Sequence, residues 1–206
     1  MMRLLAALLL LLAIITPARA DDIADSYGGV GRILVVLSWK DGDEYVGFGS
    51  GFAVTPTRIV TNYHVIEAWA RYAESADEAL LAVVPSRGSA MIEARLVTYD
   101  SAKDLAVLEL QGGTMEPMTL FSGRPDLGRR YTALGFPSNV DFASSRSVDE
   151  LFDLTVTPRS PIRTGGDISE ARPVCGIDAY VHDAEACSSS AISAARRSAP
   201  GSRASH

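Results

Sequence analysis

Residues 47–66 read GFGSGFAVTPTRIVTNYHVI, and this stretch decides the fold. Glycine alternates with larger residues at its start, a pattern that lets a strand bend sharply or pack closely against another backbone. The turn-forming sequence Thr-Pro-Thr at 55–57 separates it from a second short apolar run. That second run ends in Thr-Asn-Tyr-His, which predicts a strand–helix junction at His64. An imidazole held at the edge of a rigid sheet is well placed to act as a general base.

Short apolar runs rich in β-branched residues recur along the rest of the chain, with turn-forming residues between them. Strands of this length and spacing are typical of an antiparallel barrel or sandwich, so we predict an all-β fold. The predicted strands include 33–37, 52–54, 58–60, 80–84, 105–110 and 131–134. The predicted turns include 41–43, 85–88, 112–113 and 165–167. One helix is expected, over 65–75, because apolar side chains recur there at helical spacing.

A second candidate catalytic residue is Asp104. It directly precedes the apolar run at 105–110 and follows His64 by forty residues. A carboxylate that accepts the imidazole N–H fixes the tautomer of a histidine and stabilises its protonated form. We expect the apolar run to draw Asp104 into the interior, whereas Asp100 lies further out and is expected to be solvated. Taken alone, Asp104 would be interpreted as a turn aspartate that caps a loop.

Four motifs follow one another along the chain: GSGF at 49–52, IVTNYHV at 59–65, DLAVL at 104–108 and ALGFP at 133–137. Together they resemble the trypsin-like serine proteases, and in pattern the bacterial exported proteases of the Deg/HtrA-like type. The resemblance covers roughly residues 29–185. It implies a chymotrypsin-like double β-barrel with the active site between the barrels. It also implies that His64 is the general base and that Asp104 orients it.

The sequence departs from this family where the nucleophile is expected. The family's Gly-Asn/Asp-Ser-Gly-Gly-Pro motif brings backbone N–H groups around the oxyanion, and it should follow residues 176–179 by about ten residues. No such motif occurs in the chain. The available hydroxyls lack the flanking glycines; they belong to Ser188, Ser189, Ser190 and Ser193. We therefore expect the second barrel to be incomplete and the nucleophile to be missing.

The composition changes abruptly at residue 186. Thirteen of the last 21 residues are Ala or Ser, three are Arg, and all 25 acidic residues of the chain precede them. We interpret 186–206 as an aberrant tail, in which the protease module is truncated or its reading frame is shifted. The alternative is a genuine disordered tail rich in Ala, Ser and Arg.

The N-terminus has the pattern of an export signal. A positive charge at Arg3 precedes an unbroken apolar run over 4–15, and residues 18–20 read Ala-Arg-Ala. This order is typical of a secretory signal peptide, with cleavage expected after Ala20 and a periplasmic or extracellular product. A helix of that run rises only about 18 Å, short of the ~30 Å hydrocarbon core, so a retained membrane anchor is the weaker interpretation. The expected domains are a signal peptide (1–20), a trypsin-like protease domain (21–185) and the tail (186–206).

The composition of the chain argues against several classes of protein. The 206 residues carry a net charge of −6 and are 47% apolar, which is too apolar for a disordered chain, and an acidic protein is not expected to bind nucleic acid. Export permits a disulfide between Cys175 and Cys187, and two unpaired thiols are the open alternative. The spacing of the cysteines from His182 and His64 matches no metal site, so no metal or other cofactor is expected.

Two functions from different classes remain. The first is a serine-type endopeptidase that cleaves proteins or peptides through a Ser-His-Asp triad, with little or no activity in this polypeptide because the nucleophile motif is missing. The second is a non-catalytic exported homologue that binds extended peptides in the cleft between the barrels. The retention of His64 and Asp104 weakens the second interpretation. The sequence does not indicate a substrate preference or an oligomeric state.

Overall fold

Six antiparallel strands form a closed barrel in the computed structural model, which describes residues 22–88, 90–120, 122–124, 126–128, 130–136, 148–174, 177–182 and 193–197. A short helix α1 (Asp22–Asp25) and a 3-10 turn (Ser26–Gly29) precede the barrel. The strands are β1 (Val30–Ser38), β2 (Glu44–Ala53), β3 (Arg58–Thr61), β4 (Glu78–Pro85), β5 (Ile92–Asp100) and β6 (Leu105–Leu110). Their order is β1-β4-β5-β6-β3-β2, and β2 pairs with β1 to close the barrel.

Alternate residues of the strands fill the barrel, because successive side chains of a strand point to opposite faces. On β1, the side chains of Ile33, Val35 and Leu37 are fully buried and belong to the central core cluster. The ten-residue helix α2 (Tyr63–Tyr72) packs against β1 and β2. It adds the buried Val65 and Ile66 to that cluster. The predicted helix is confirmed, although it begins two residues earlier than expected and ends at Tyr72.

The glycines of β2 stand where its neighbours approach most closely. A Cβ atom on Gly49 would lie 2.5 Å from the Val65 side chain, and a Cβ atom on Gly51 would lie 2.7 Å from the Ile33 side chain. Both distances are shorter than real carbon–carbon contacts, so only glycine lets the helix and the barrel interior pack at this depth. At these two positions the glycines make room for neighbouring side chains, and not for another backbone as the pattern had suggested.

A second, smaller sheet follows the barrel. It consists of β7 (Arg130–Gly135), β8 (Ile162–Val174) and β9 (Ile177–His182) in the order β7-β8-β9. The architecture is all-β with one closed barrel and one partial sheet, which confirms the predicted fold class of a chymotrypsin-like double β-barrel with its second barrel incomplete.

Several elements differ from the sequence-based expectations, which included no strand at the positions of β8 and β9. A helix α3 (Val148–Val156) lies between β7 and β8, where no helix was predicted. Strand β5 was not predicted either, because its alternation of apolar and polar residues stops at the register shift between Leu96 and Thr98. The predicted turn at 165–167 is wrong, because Gly165, Gly166 and Asp167 lie inside β8 and pair with β7. Glycines do not by themselves mark a turn, because a neighbouring strand can hydrogen-bond to their backbone and hold them in a sheet.

The barrel and the second sheet meet through a small set of buried contacts. The hydroxyl oxygen of Ser50 accepts a hydrogen bond from the backbone N–H of Phe136 at 2.8 Å. The guanidinium of Arg32, only 1% exposed, lies 4.8 Å from the ring centre of Phe136 and 5.9 Å from that of Phe48. Cation–π contacts of this kind are strengthened when they are desolvated.

Several sequence-based expectations fall outside the described residues: the signal peptide, both cysteines and the serines at 188–190. Within the predicted tail, Ser193–Arg197 forms a strand β10 that pairs antiparallel with Glu44–Phe48 of β2. Among the residues that the structure describes, no helix is long and apolar enough to cross a membrane.

Candidate active site

The position of His64 is set by the end of β3. Thr61 is 4% exposed, and its hydroxyl donates a hydrogen bond to the Ser50 carbonyl at 2.8 Å, which ties β3 to β2. Asn62 then takes an extended conformation, with φ −80° and ψ 147°, and α2 begins at Tyr63. His64 is therefore the second residue of a helix that is anchored on a rigid barrel, whereas the sequence placed it just before the helix, at the strand–helix junction.

Asp104 lies at the start of β6 in an uncommon backbone conformation. Its φ is 52°, the one positive value found at a non-glycine residue in the described part of the chain. Aspartate is among the few side chains that tolerate this left-handed region, at a cost of about 1 kcal/mol or more. The strained turn directs the carboxylate back toward α2.

The carboxylate of Asp104 makes two contacts with His64. Its Oδ2 lies 2.7 Å from the imidazole Nδ1, and its Oδ1 accepts a hydrogen bond from the backbone N–H of His64 at 2.8 Å. The first contact places a proton on Nδ1, which leaves the lone pair on Nε2 free to accept one. The second contact provides an acceptor for the backbone N–H of His64, which lies in the first turn of α2 and has no partner within the helix. One carboxylate therefore orients the ring and caps the helix that carries it.

Asn62 is a site residue to which sequence reasoning assigned no role. Its Nδ2 donates hydrogen bonds to the backbone carbonyl of Asp104 at 3.0 Å and to Asp104 Oδ2 at 3.2 Å. This amide holds both the backbone and the carboxylate of Asp104, and it makes no side-chain cap to α2. The position of Asn62 within the Thr-Asn-x-His order was the available signal.

The structure corrects the expectation that Asp104 is drawn into the interior. Its side chain is 42% exposed, and the imidazole of His64 is 27% exposed. The apolar strand begins only after Asp104, and even Leu105 is 45% exposed, so the turn stays at the surface.

Asp100 lies at the opposite end of the same turn. It forms an ion pair with Lys103 at 2.9 Å, and its Oδ1 accepts the backbone N–H of Lys103 at 3.1 Å. Hydrogen bonds from the Lys103 side chain and backbone lower the pKa of the Asp100 carboxyl. The solvated, local role expected for Asp100 agrees with these contacts.

A mainly apolar cavity of about 540 Å³ lies between the barrel and the second sheet. Asn62 and Leu105 line it on the side of Asp104, and Thr132 and Leu134 line it from β7. Neither His64 nor Asp104 is among its lining residues, so the cavity meets this pair only through their neighbours Asn62 and Leu105. In the part of the chain that the structure describes, no group of three or more His, Cys, Asp or Glu side chains is arranged to hold a metal ion.

Comparisons with known proteins agree with this geometry. A family model described as the trypsin-like peptidase domain matches residues 49–192. The Anti-sigma-I factor RsgI9 of Acetivibrio thermocellus is 29% identical over 162 residues, which cover 72% of this chain and 21% of that protein. The chain therefore spans about a fifth of the length of that curated relative.

Solved structures show the same fold. Deg5 superimposes with a TM-score of 0.57 at 23% identity, covering 80% of this chain and 72% of that one. The active form of the Rv3671c protease from M. tuberculosis gives 0.51 at 21% identity, over 80% and 60% of the two chains. Its inactive form gives 0.52 at 19% identity, over 81% and 70%.

Proposed function

Because the chain belongs to the trypsin-like peptidase domain family, we propose that its chemistry is that of a serine-type endopeptidase, with His64 as general base and Asp104 as its orienting residue. The observation that carries the proposal is the two-point contact of the Asp104 carboxylate, 2.7 Å from His64 Nδ1 and 2.8 Å from the His64 backbone nitrogen. An aspartate that only caps a loop has no need of the imidazole contact.

In the proposed reaction, His64 Nε2 takes the proton of a serine hydroxyl as its oxygen attacks the peptide carbonyl carbon. The imidazolium then gives that proton to the leaving amine, and an acyl-enzyme forms. Water, activated by the same nitrogen, hydrolyses the acyl-enzyme and returns the serine. Throughout, the negative charge of Asp104 stabilises the imidazolium, and Asn62 keeps that carboxylate in place.

We further propose that this polypeptide has little or no peptidase activity. No Gly-Asn/Asp-Ser-Gly-Gly-Pro motif occurs in its 206 residues, and removal of the triad nucleophile abolishes the covalent route. We propose that residues 186–206 are the product of truncation or a shifted frame.

A fluorophosphonate probe tests these points, because it reacts with an activated serine. The purified chain is compared with a version in which the alternative reading frame continues past residue 185. We expect labelling of the extended version alone, and its His64→Ala variant should lose that labelling. Labelling of the present chain would overturn its inactivity, and labelling of neither form would overturn the truncated protease.

The second candidate is a non-catalytic homologue that binds extended peptides between the barrel and the second sheet. The cavity of about 540 Å³ between these two units supports it. The candidate predicts that peptides bind the present chain, that neither form is labelled, and that Leu134→Trp, which fills the cavity, weakens the binding.

We also propose that residues 1–20 are a signal peptide and that the protein is exported to the periplasm or beyond. The protease domain would then begin at Asp21. Mass spectrometry of the protein recovered from outside the cytoplasm should give an N-terminus at Asp21. An intact Met1 on the recovered protein would contradict cleavage.

A further inference from the structure

A second groove, of about 410 Å³, opens between the β1–β2 hairpin and the last turns of α2. It lies apart from the His64–Asp104 pair, because eight residues of helix separate His64 from Tyr72, a rise of about 12 Å. Its lining residues are Leu37, Trp39, Asp41, Asp43, Tyr45, Ala68 and Tyr72.

The lining combines aromatic walls with negative charge. Trp39 and Tyr45 come from the hairpin, and Tyr72 comes from α2, where its side chain is 49% exposed. Aromatic faces attract an ammonium or guanidinium group, and they also pack against the aliphatic stem of a lysine or arginine. Asp41 and Asp43 add two carboxylates that can form charge-assisted hydrogen bonds with such a cation.

The surroundings of the groove are also negative. Burial and the negative charge of Glu67 together raise the pKa of the Tyr45 phenol, with burial the larger cause. The two basic side chains closest in sequence to the lining pair elsewhere: Lys40 with Asp77 at 3.1 Å, and Arg71 with Glu67. The charge and shape of the groove therefore favour an organic cation over an anion or a purely apolar ligand.

A strand edge runs beside the groove. The segment Ser193–Arg197 pairs antiparallel with β2, and the register sets Arg196 opposite Tyr45 and Arg197 opposite Glu44. The edge of β2 therefore accepts an extended segment, and the residues of that segment at the level of the groove are basic. Strand addition gives affinity through the backbone, and an adjoining pocket gives specificity through side chains.

We propose that this groove and the Glu44–Phe48 edge of β2 form a docking site for an extended basic peptide segment. The segment adds an antiparallel strand to β2, and an arginine or lysine next to that strand occupies the aromatic and acidic groove. Ser193–Arg197 has the required sequence, three small residues followed by two arginines, and its backbone pairs with this edge, so it is the proposed occupant in this chain. The docking site uses no residue of the His64–Asp104 site. Its occupant belongs to 186–206, so the docking is proposed for this polypeptide and not for the version in which the alternative frame continues past residue 185.

Tryptophan fluorescence tests the proposal, because Trp39 lines the groove and Trp69 is the only other tryptophan. The full chain carries Ala194→Pro and Ala195→Pro, which remove backbone N–H groups from its own strand, together with Arg196→Gln and Arg197→Gln. It is titrated with an acetylated, amidated peptide of sequence Ser-Ala-Ala-Arg-Arg-Ser. We expect a saturable fluorescence change that is absent in a Trp39→Phe background and retained in a Trp69→Phe background.

A protein variant and a control peptide test whether binding requires charge. The double variant Asp41→Asn, Asp43→Asn, in the β1–β2 hairpin, should bind the peptide about five- to tenfold more weakly than the protein with both aspartates. A peptide with glutamine in place of both arginines should lose at least as much affinity. Thermal unfolding confirms that the variants are folded. Equal affinity for the glutamine peptide, unchanged affinity in the double asparagine variant, or no saturable response at all would each overturn the docking site. Fluorophosphonate labelling is unaffected by any of these outcomes.

Discussion

At the scale of single residues, the two-point contact of Asp104 makes a specific prediction. Asp104→Asn should weaken the preference of His64 for the Nδ1–H tautomer, because an amide lacks the charge that attracts that proton. The amide oxygen of asparagine can still accept the backbone N–H of His64, so the change in the cap of α2 should cost less than about 1 kcal/mol of unfolding free energy. Nitrogen-15 NMR of the His64 ring and chemical denaturation measure the two effects.

The matched control is Asp100→Asn, a substitution of the same kind in the same turn. Asp100 accepts a hydrogen bond from the backbone of Lys103 and forms an ion pair with its side chain, whereas the His64 contacts are made by Asp104. Its variant should leave the ring nitrogen shifts of His64 unchanged. Equal changes in the two variants would show that the turn responds as a whole and that Asp104 has no specific role in holding the tautomer.

Asp100 itself gives a dependence of stability on pH. Hydrogen bonds from Lys103 lower the pKa of its carboxyl below the ordinary value of 3.8, so the folded state binds this proton less tightly than the unfolded state does. The resulting stabilisation is present above pH 3.8 and is lost as the pH falls through the lower, folded-state pKa. The unfolding free energies of the wild type and Asp100→Asn should therefore differ near neutral pH and converge as the pH falls through the folded-state pKa. A constant difference across this range would contradict the assigned ion pair.

At the scale of elements, the contact between Gly49 and Val65 sets the depth at which α2 packs. Gly49→Ala should destabilise the fold by about 1–3 kcal/mol, because the added methyl group meets the Val65 side chain at 2.5 Å. The helix that carries His64 must shift in response, so the His64–Asp104 contact should weaken as well. Denaturation curves and the His64 ring resonances report on both effects.

A double-mutant cycle separates this clash from a general loss of strand structure. Adding Val65→Ala to Gly49→Ala removes the branched side chain that the new methyl group meets. The double variant should cost less than the sum of its single changes. Strict additivity would indicate that Gly49 is required for its backbone conformation and not for the close approach.

The barrel and helix α2 show how much of the fold and of the candidate site can be predicted from the sequence. Motif order and hydrophobic pattern were enough to predict at least part of five of the six barrel strands, the helix after His64 and the pairing of His64 with Asp104. The left-handed turn at Asp104 and the bond from Asn62 were not predicted, because both depend on the approach of β3 to β6 in three dimensions. Strand β5 was missed for a related reason, since its register shifts between Leu96 and Thr98 and breaks the period of two.

At the scale of the whole molecule, the partial second sheet is held to the barrel through few described contacts, and Phe136 is central among them. It is 3% exposed, it accepts the guanidinium of Arg32 on its ring, and its backbone N–H binds Ser50. A small open sheet needs a hydrophobic face packed against another element, and the described sheet meets the barrel at this junction, so we expect its stability to depend on the junction.

Phe136→Ala should therefore loosen the second sheet before the barrel. Truncation of a buried phenylalanine costs about 3–5 kcal/mol, and here it also removes the ring over which the buried charge of Arg32 lies. Hydrogen exchange should accelerate in β7 and β8 while the amides of β1 and β4 stay protected, because the barrel is closed by its own β1–β2 pairing. Leu120→Ala, at a side chain that is 64% exposed, is the control and should leave both sets of amides unchanged. If Phe136→Ala instead accelerates exchange uniformly in all four strands, the two units unfold together, and the second sheet is an integral part of the barrel's cooperative unit.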